Sequence, residues 1–254
     1  TLHLTHRDSN WGCMSIWEYA NPKRFMDVTG RALPLLAAAT ATCLAVGLIW
    51  GFFRTPDDAR QGSTVKIIYL HVPSAMMAIN AWVMMLATSL VWIVRRHPVS
   101  TLAAKAAAPV GLTFTLIALV TGAVWGKPMW GTWWAWDPRL TSFLVLCLFY
   151  LGYIALVTSI DDLARGDKAG ALLAIVGSVN VPIIYFSVRW WNTLHQGATV
   201  SLTAAPKMAQ TMLLAMLIMT VAFWAYAFAT VFTRAQALAL ERDSDADWAR
   251  KEML

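Results

Sequence analysis

"IIYLHVPSAMMAINAWVMMLATSLVWIV", Ile67 to Val94, runs for 28 residues without one Asp, Glu, Lys or Arg. A helix rises about 1.5 Å per residue, so roughly 20 such residues cross a hydrocarbon core. Five further windows are equally free of charge: 33–53, 106–125, 140–160, 170–188 and 208–232. Soluble helices of this length need a polar face, and these windows show no such periodicity. Charged residues make up only 13% of the 254, against roughly a quarter in a soluble domain. The sequence therefore predicts an all-α integral membrane protein with six transmembrane helices, a single membrane domain over residues 1–254. Barrel strands would be shorter and would alternate polar with apolar residues, which excludes that architecture. Pro34, Pro73, Pro109 and Pro182 fall within or near the spans. Neighbouring helices can satisfy the backbone groups they free, and kinks are the usual result.

Charge sets the expected orientation. Six spans put both termini on one side, with the connectors at 95–105 and 161–169, and that side holds thirteen Lys and Arg. The other side, formed by 54–66, 126–139 and 189–207, holds seven. The excess predicts cytoplasmic termini and places the tryptophan-rich segment at 125–142, between helices 3 and 4, outside. The loop at 189–207, between helices 5 and 6, is expected there too. The net charge of +6 is accounted for by this topology and gives no reason to invoke nucleic acid.

Residues 1–25 lack the apolar core of a signal peptide, so the first span is expected to direct its own insertion. Met14 reads as a natural start, with residues 1–13 an extension. Cys13, Cys43 and Cys147 are isolated and form neither CxxC nor CxxCH.

"WGTWWAWDPRLTS", Trp130 to Ser142, packs four tryptophans into seven residues. Of fourteen tryptophans, seven fall in or beside the second and third outer segments: Trp125, Trp130, Trp133, Trp134, Trp136, Trp190 and Trp191. An aromatic belt at the headgroup level is the plainer reading. A belt, however, needs one or two aromatics per helix end, whereas a platform for a flat apolar ligand explains the clustering. Gly126 and Gly131 would let the chain turn tightly and a ligand approach closely.

His71 lies just inside the second span near its outer end, and His195 lies in the last outer loop. An ionisable residue within a span is costly unless it has a partner or a task. Neutral imidazole is a common haem-iron ligand, so two histidines flanking an aromatic platform can bind iron from both axial directions. Equally, His71 can bond a neighbouring helix and His195 can be a solvated loop residue. His3, His6 and His97 fall on the cytoplasmic side and take no metal role. No ligand spacing resembles a zinc site. Arg139 and Arg189 are the better candidates to meet carboxylates, ahead of Lys127, Arg54, Arg60, Lys66 and Lys207. Snorkelling to headgroups is their alternative task. Asp137 can instead pair with Arg139 and fix the loop, a structural role in support of the site.

The run "WGKPMWGTWWAWDPRLTS", Trp125 to Ser142, resembles the WWD signature of haem-handling membrane proteins of cytochrome c biogenesis. With six spans at this length, the chain resembles the cytochrome c maturation protein C (haem exporter protein C) family along essentially its full length. Gly122, Trp125, Gly126, Trp130, Gly131, Trp133, Trp134, Trp136, Asp137, Arg139, Leu140 and Thr141 fit the pattern, and only the first thirteen residues look foreign. The longer lyase subunit, maturation protein F, shares the signature but has more spans.

The resemblance implies a non-enzymatic, haem-delivering subunit of the bacterial inner membrane. Haem would be b-type and non-covalent, with His71 and His195 as axial ligands. The indoles would form the haem and chaperone surface, and Asp137 and Arg139 would orient it. It further implies four kinds of protein partner: the membrane-anchored haem chaperone (maturation protein E), an ABC-type ATPase and its membrane subunit (maturation proteins A and B), and a small single-span subunit (maturation protein D). Membrane lipid would surround the spans. Three alternatives stay open: a single-haem b-type cytochrome, a haem channel, and a structural or docking subunit of an ABC transporter. Asn180 is the one weak polar hint of a channel, and a helix–helix hydrogen bond is its commoner role. The tail from Arg234 to Leu254 reads either as a partner-binding amphipathic helix or as a solvated end.

Overall fold

A computed structural model describes residues 21–195 and 205–253. The expectations for His3, His6, Cys13, Met14 and the extension at 1–13 lie outside those residues, as does 196–204 of the last loop. The described residues form helices joined by non-helical connectors, with no strand among them. The helices are α1 (Pro22–Phe53), α2 (Ile68–Arg95), α3 (Pro98–Trp130), α4 (Pro138–Thr158), α5 (Leu163–Gly177), α6 (Asn180–Trp190), α7 (Gln210–Arg242) and α8 (Asp247–Met253). A short 3-10 turn, Ser63–Ile67, leads into α2. Among the described residues six spans are long and apolar enough to cross a membrane: α1, the 3-10 turn with α2, α3, α4, α5 with α6, and α7. The chain is an all-α membrane protein, as its charge-free windows predict.

The pair α2 and α3 forms the centre. On one side α7 packs against both, with α1 outside it; α4, α5 and α6 cover the other. Only Thr29, Gly47 and Gly51 of α1 are buried, so this helix contributes little to the core. The core is aromatic and cross-linked by polar tips. Tyr150 Oη donates to the Ala78 carbonyl at 2.7 Å, and Trp82 Nε1 donates to the Ala174 carbonyl at 3.2 Å. Both side chains are fully buried, where an unpaired polar group would be expensive.

Side-chain links show which ends meet. Gln236 Nε2 of α7 donates to Thr29 Oγ1 of α1 at 2.7 Å. Arg242 reaches the Pro98 carbonyl at 2.9 Å, and Lys105 pairs with Asp167 at 2.6 Å. The start of α1, the end of α7 and the α2–α3 and α4–α5 connectors therefore share one end of the bundle. The tryptophan-rich connectors share the other. The tail is not merely solvated: Ala235, Ala239 and Ala249 are buried.

The fifth span is interrupted. Pro182 has no N–H to give the Ser178 carbonyl, and its ring would clash there if the helix continued. Ser178, Val179 and Val181 accordingly reach back three residues rather than four, at 3.1–3.3 Å. Asn180 closes the break by donating to the Ser142 carbonyl of α4 at 2.9 Å. That is the helix–helix bond, and it removes Asn180 as a hint of a pore.

Candidate functional site

The segment expected to be a loop from 125 to 142 is helical at both ends. Trp125–Trp130 closes α3, Pro138 opens α4, and residues 131–137 form the connector. Lys127 allows the extension: its ammonium donates to the Gly131 carbonyl at 3.0 Å, a favourable place for a cation at a helix C-terminus. Gly131 ends the helix with φ +78°, a left-handed conformation in which a Cβ is strained. Gly126 provides room instead. A Cβ there would stand 2.9 Å from Trp130 Cε3, so its absence lets the Trp130 indole fold back over α3.

Folded back, Trp130 meets Trp125 edge to face, with ring centroids 5.1 Å apart. Trp125 is in turn 6.3 Å from the His195 ring. The His195 and His71 centroids are 6.2 Å apart with their planes inclined at 32°. Two histidines from distant parts of the chain and two tryptophans thus form one contiguous group. His71 enters from the first turn of α2, where its Nδ1 lies 3.0 Å from Thr121 Oγ1 of α3.

The remaining tryptophans do not join that inner group. Trp134 and Trp136 pair with each other at 5.5 Å. Trp190 stacks on Phe186 at 5.0 Å and meets Trp191 edge to face. Trp133 and Trp136 are 57% and 78% exposed, which leaves broad indole surface uncovered at this end. The cluster is therefore a small inner group with an exposed aromatic rim.

Asp137 has partners other than Arg139. Its carboxylate is buried; one oxygen accepts the Leu140 N–H at 2.8 Å and caps α4. The other accepts the Thr193 hydroxyl and the Leu194 N–H, the latter at 3.1 Å. Thr193 Oγ1 then receives the His195 N–H at 3.1 Å. Asp137 is thus a clamp that ties the α3–α4 connector to the segment carrying His195. Arg139 instead donates to the Ile184 carbonyl of α6 at 3.2 Å, over the face of Phe143.

Of the other candidate cations, Lys66 is engaged: it pairs with Asp57 at 3.0 Å and donates to the Phe52 carbonyl. Two participants carried no motif. Gln61 Oε1 accepts the Trp125 indole N–H at 2.8 Å, and Thr193 links Asp137 to His195. Gln61 sits in a turn organised by Asp58, whose carboxylate accepts the backbone N–H of Arg60 and of Gln61 at 2.8 and 2.9 Å. Those bonds hold the Asp58 pKa below the usual 3.8. Among the described residues no group of three or more His, Cys, Asp or Glu could hold a metal ion, and Cys43 and Cys147 are unpaired thiols. Any metal held here would rely on the histidine pair and on its own remaining ligands.

Residues 15–250 match the family model described as heme exporter protein C. The chain belongs to the heme exporter protein C family. It is similar to the heme exporter protein C of Paracoccus denitrificans, 58% identical over 197 residues, covering 77% of this chain and 81% of that protein. The Escherichia coli K12 relative of the same name is 48% identical over 185 residues, 73% and 76% of the two chains. That of Haemophilus influenzae is 39% identical over 232 residues, 91% and 94%. Histidine pair and tryptophan connector both fall within the region matched by the family model.

Proposed function

We propose that this chain is a haem-handling subunit of cytochrome c maturation, which receives haem at the periplasmic face of the bacterial inner membrane. Haem is its cargo, held non-covalently between His71 and His195, and a membrane-anchored haem chaperone takes it from there. The chain works within an ABC-type complex in which ATP hydrolysis belongs to partner subunits.

The observation that carries this reading is the spacing of the two imidazoles. Two imidazoles on opposite sides of one iron place their centroids about 6 Å apart, from two metal–nitrogen bonds of about 2 Å and two centroid-to-nitrogen distances of about 1 Å. The 6.2 Å between His71 and His195 fits that arrangement. Trp125 and Trp130 beside the pair offer apolar faces suited to a porphyrin, which aggregates in water. The rim at Trp133 and Trp136 suits the chaperone, because exposed indoles are favoured anchors of protein interfaces. Membership of the heme exporter protein C family and the excess of Lys and Arg on the terminal side support both cargo and orientation.

Purification from membranes making the chaperone and the ABC partners tests the reading. Wild type is expected to carry haem and to pass it to the chaperone, which binds it covalently. A wild type that neither retains haem nor takes it up when supplied would overturn the proposal and favour a protein-docking subunit.

A further inference from the structure

Thr121, on α3, faces His71 across the α2–α3 contact. Its hydroxyl oxygen lies 2.6 Å from the Ile117 carbonyl on its own helix and 3.0 Å from His71 Nδ1. A hydroxyl has one proton to donate, and a carbonyl can only accept. The short contact to Ile117 takes that proton, so Thr121 Oγ1 meets the imidazole as an acceptor. His71 Nδ1 must then carry a proton. In the neutral ring this leaves the Nε2 lone pair uncommitted. The next residue completes the cradle: a Cβ on Gly122 would come within 3.2 Å of His71 Cε1, so the bare glycine lets α3 close on the ring edge.

We infer that Thr121 is a positioning residue for His71, holding the imidazole as its Nδ1–H tautomer so that Nε2 is the atom presented to haem iron. The inference rests on the proposed role of His71 as an axial ligand. Its physical basis is general, because a ligating histidine needs its other nitrogen anchored to fix both tautomer and ring orientation. Donation from Nδ1–H also makes Nε2 a stronger donor and favours ferric iron.

The test compares Thr121→Val, which keeps the shape and loses the hydroxyl acceptor while leaving the Ala118 backbone carbonyl beside the ring, with Thr121→Ser, which restores the hydroxyl. Thr121→Val is expected to weaken haem binding by about 10–100-fold, the usual range for losing such a partner. It should also make the midpoint potential less negative and change the low-spin electron paramagnetic resonance signal. Thr121→Ser should recover all three. A folded Thr121→Val with wild-type affinity, potential and signal would overturn the role of Thr121, provided His71→Ala alters the same signal. A wild type that binds no haem would instead overturn the underlying reading. The ¹⁵N shifts of His71 in haem-free wild type need no variant to fold: a protonated Nδ1 is expected, and a protonated Nε2 would refute the inference.

Discussion

Replacing Asp137 by asparagine separates the two tasks of its carboxylate. One oxygen caps α4 through Leu140, and the other accepts from Thr193 and Leu194. Asparagine caps helices about as well as aspartate, so the cap survives. Its amide NH₂ then faces two donors, and the link to the His195 segment is lost. Hydrogen bonds to a carboxylate contribute about 1.5–3 kcal/mol each when shielded from water. Leu194 is 52% exposed, so water replaces much of what is lost, and the clamp as a whole is set at about 1–2 kcal/mol. At about 1.4 kcal/mol per factor of ten, Asp137→Asn should raise the haem Kd roughly 5–30-fold. Thermal stability should fall by no more than that roughly 1–2 kcal/mol, whereas Asp137→Ala should lose about 1 kcal/mol more through the missing cap. Haem titration followed by absorbance, with thermal unfolding alongside, reads both quantities. An Asp137→Asn protein with wild-type haem affinity would refute the clamp.

Gly126→Ala should displace Trp130 from Trp125, because the added methyl meets the indole at 2.9 Å. Overpacking of this kind costs about 1–3 kcal/mol, readable as a lower melting temperature together with weaker haem binding. Alanine at both Trp133 and Trp136 should leave the haem spectrum unchanged while reducing capture by the chaperone in a pull-down, since these indoles lie outside the histidine group. Asp58 predicts a pH response at the Gln61 turn. Its folded pKa is lowered, so its stabilisation is present above the unfolded value near 3.8 and is lost as pH falls through the folded value. The amide ¹H–¹⁵N signals of Arg60 and Gln61 should titrate with a midpoint below 3.8 in wild type and lose that step in Asp58→Asn. A midpoint at or above that value would contradict the bonding seen.

The six spans were legible because hydrocarbon tolerates so little charge that each crossing leaves a clean window. The same signal hid other features. The window at 170–188 runs straight through the break between α5 and α6, where only Pro182 marked an interruption, because backbone geometry leaves no trace in charge. Helix α3 outruns its apolar window, since Lys127 can snorkel and also stabilise the helix end. Sequence proximity suggested that Asp137 pairs with Arg139. Residues two apart at a helix start point in different directions, and a buried cap residue faces the backbone rather than its neighbour. His71, His195 and the tryptophans stood out because such residues are conspicuous near spans. Gln61, Thr121 and Thr193 were silent, as their importance lies in partners brought close only by the fold.

The most direct test of the account is the electron paramagnetic resonance and absorbance of haem-loaded protein, comparing wild type with His71→Ala and His195→Ala. The account predicts six-coordinate, low-spin haem in wild type, converted to a high-spin form by either substitution and partly restored by added imidazole. A low-spin spectrum that persists unchanged in both variants would show that the iron is held elsewhere, and the histidine pair would lose its proposed role.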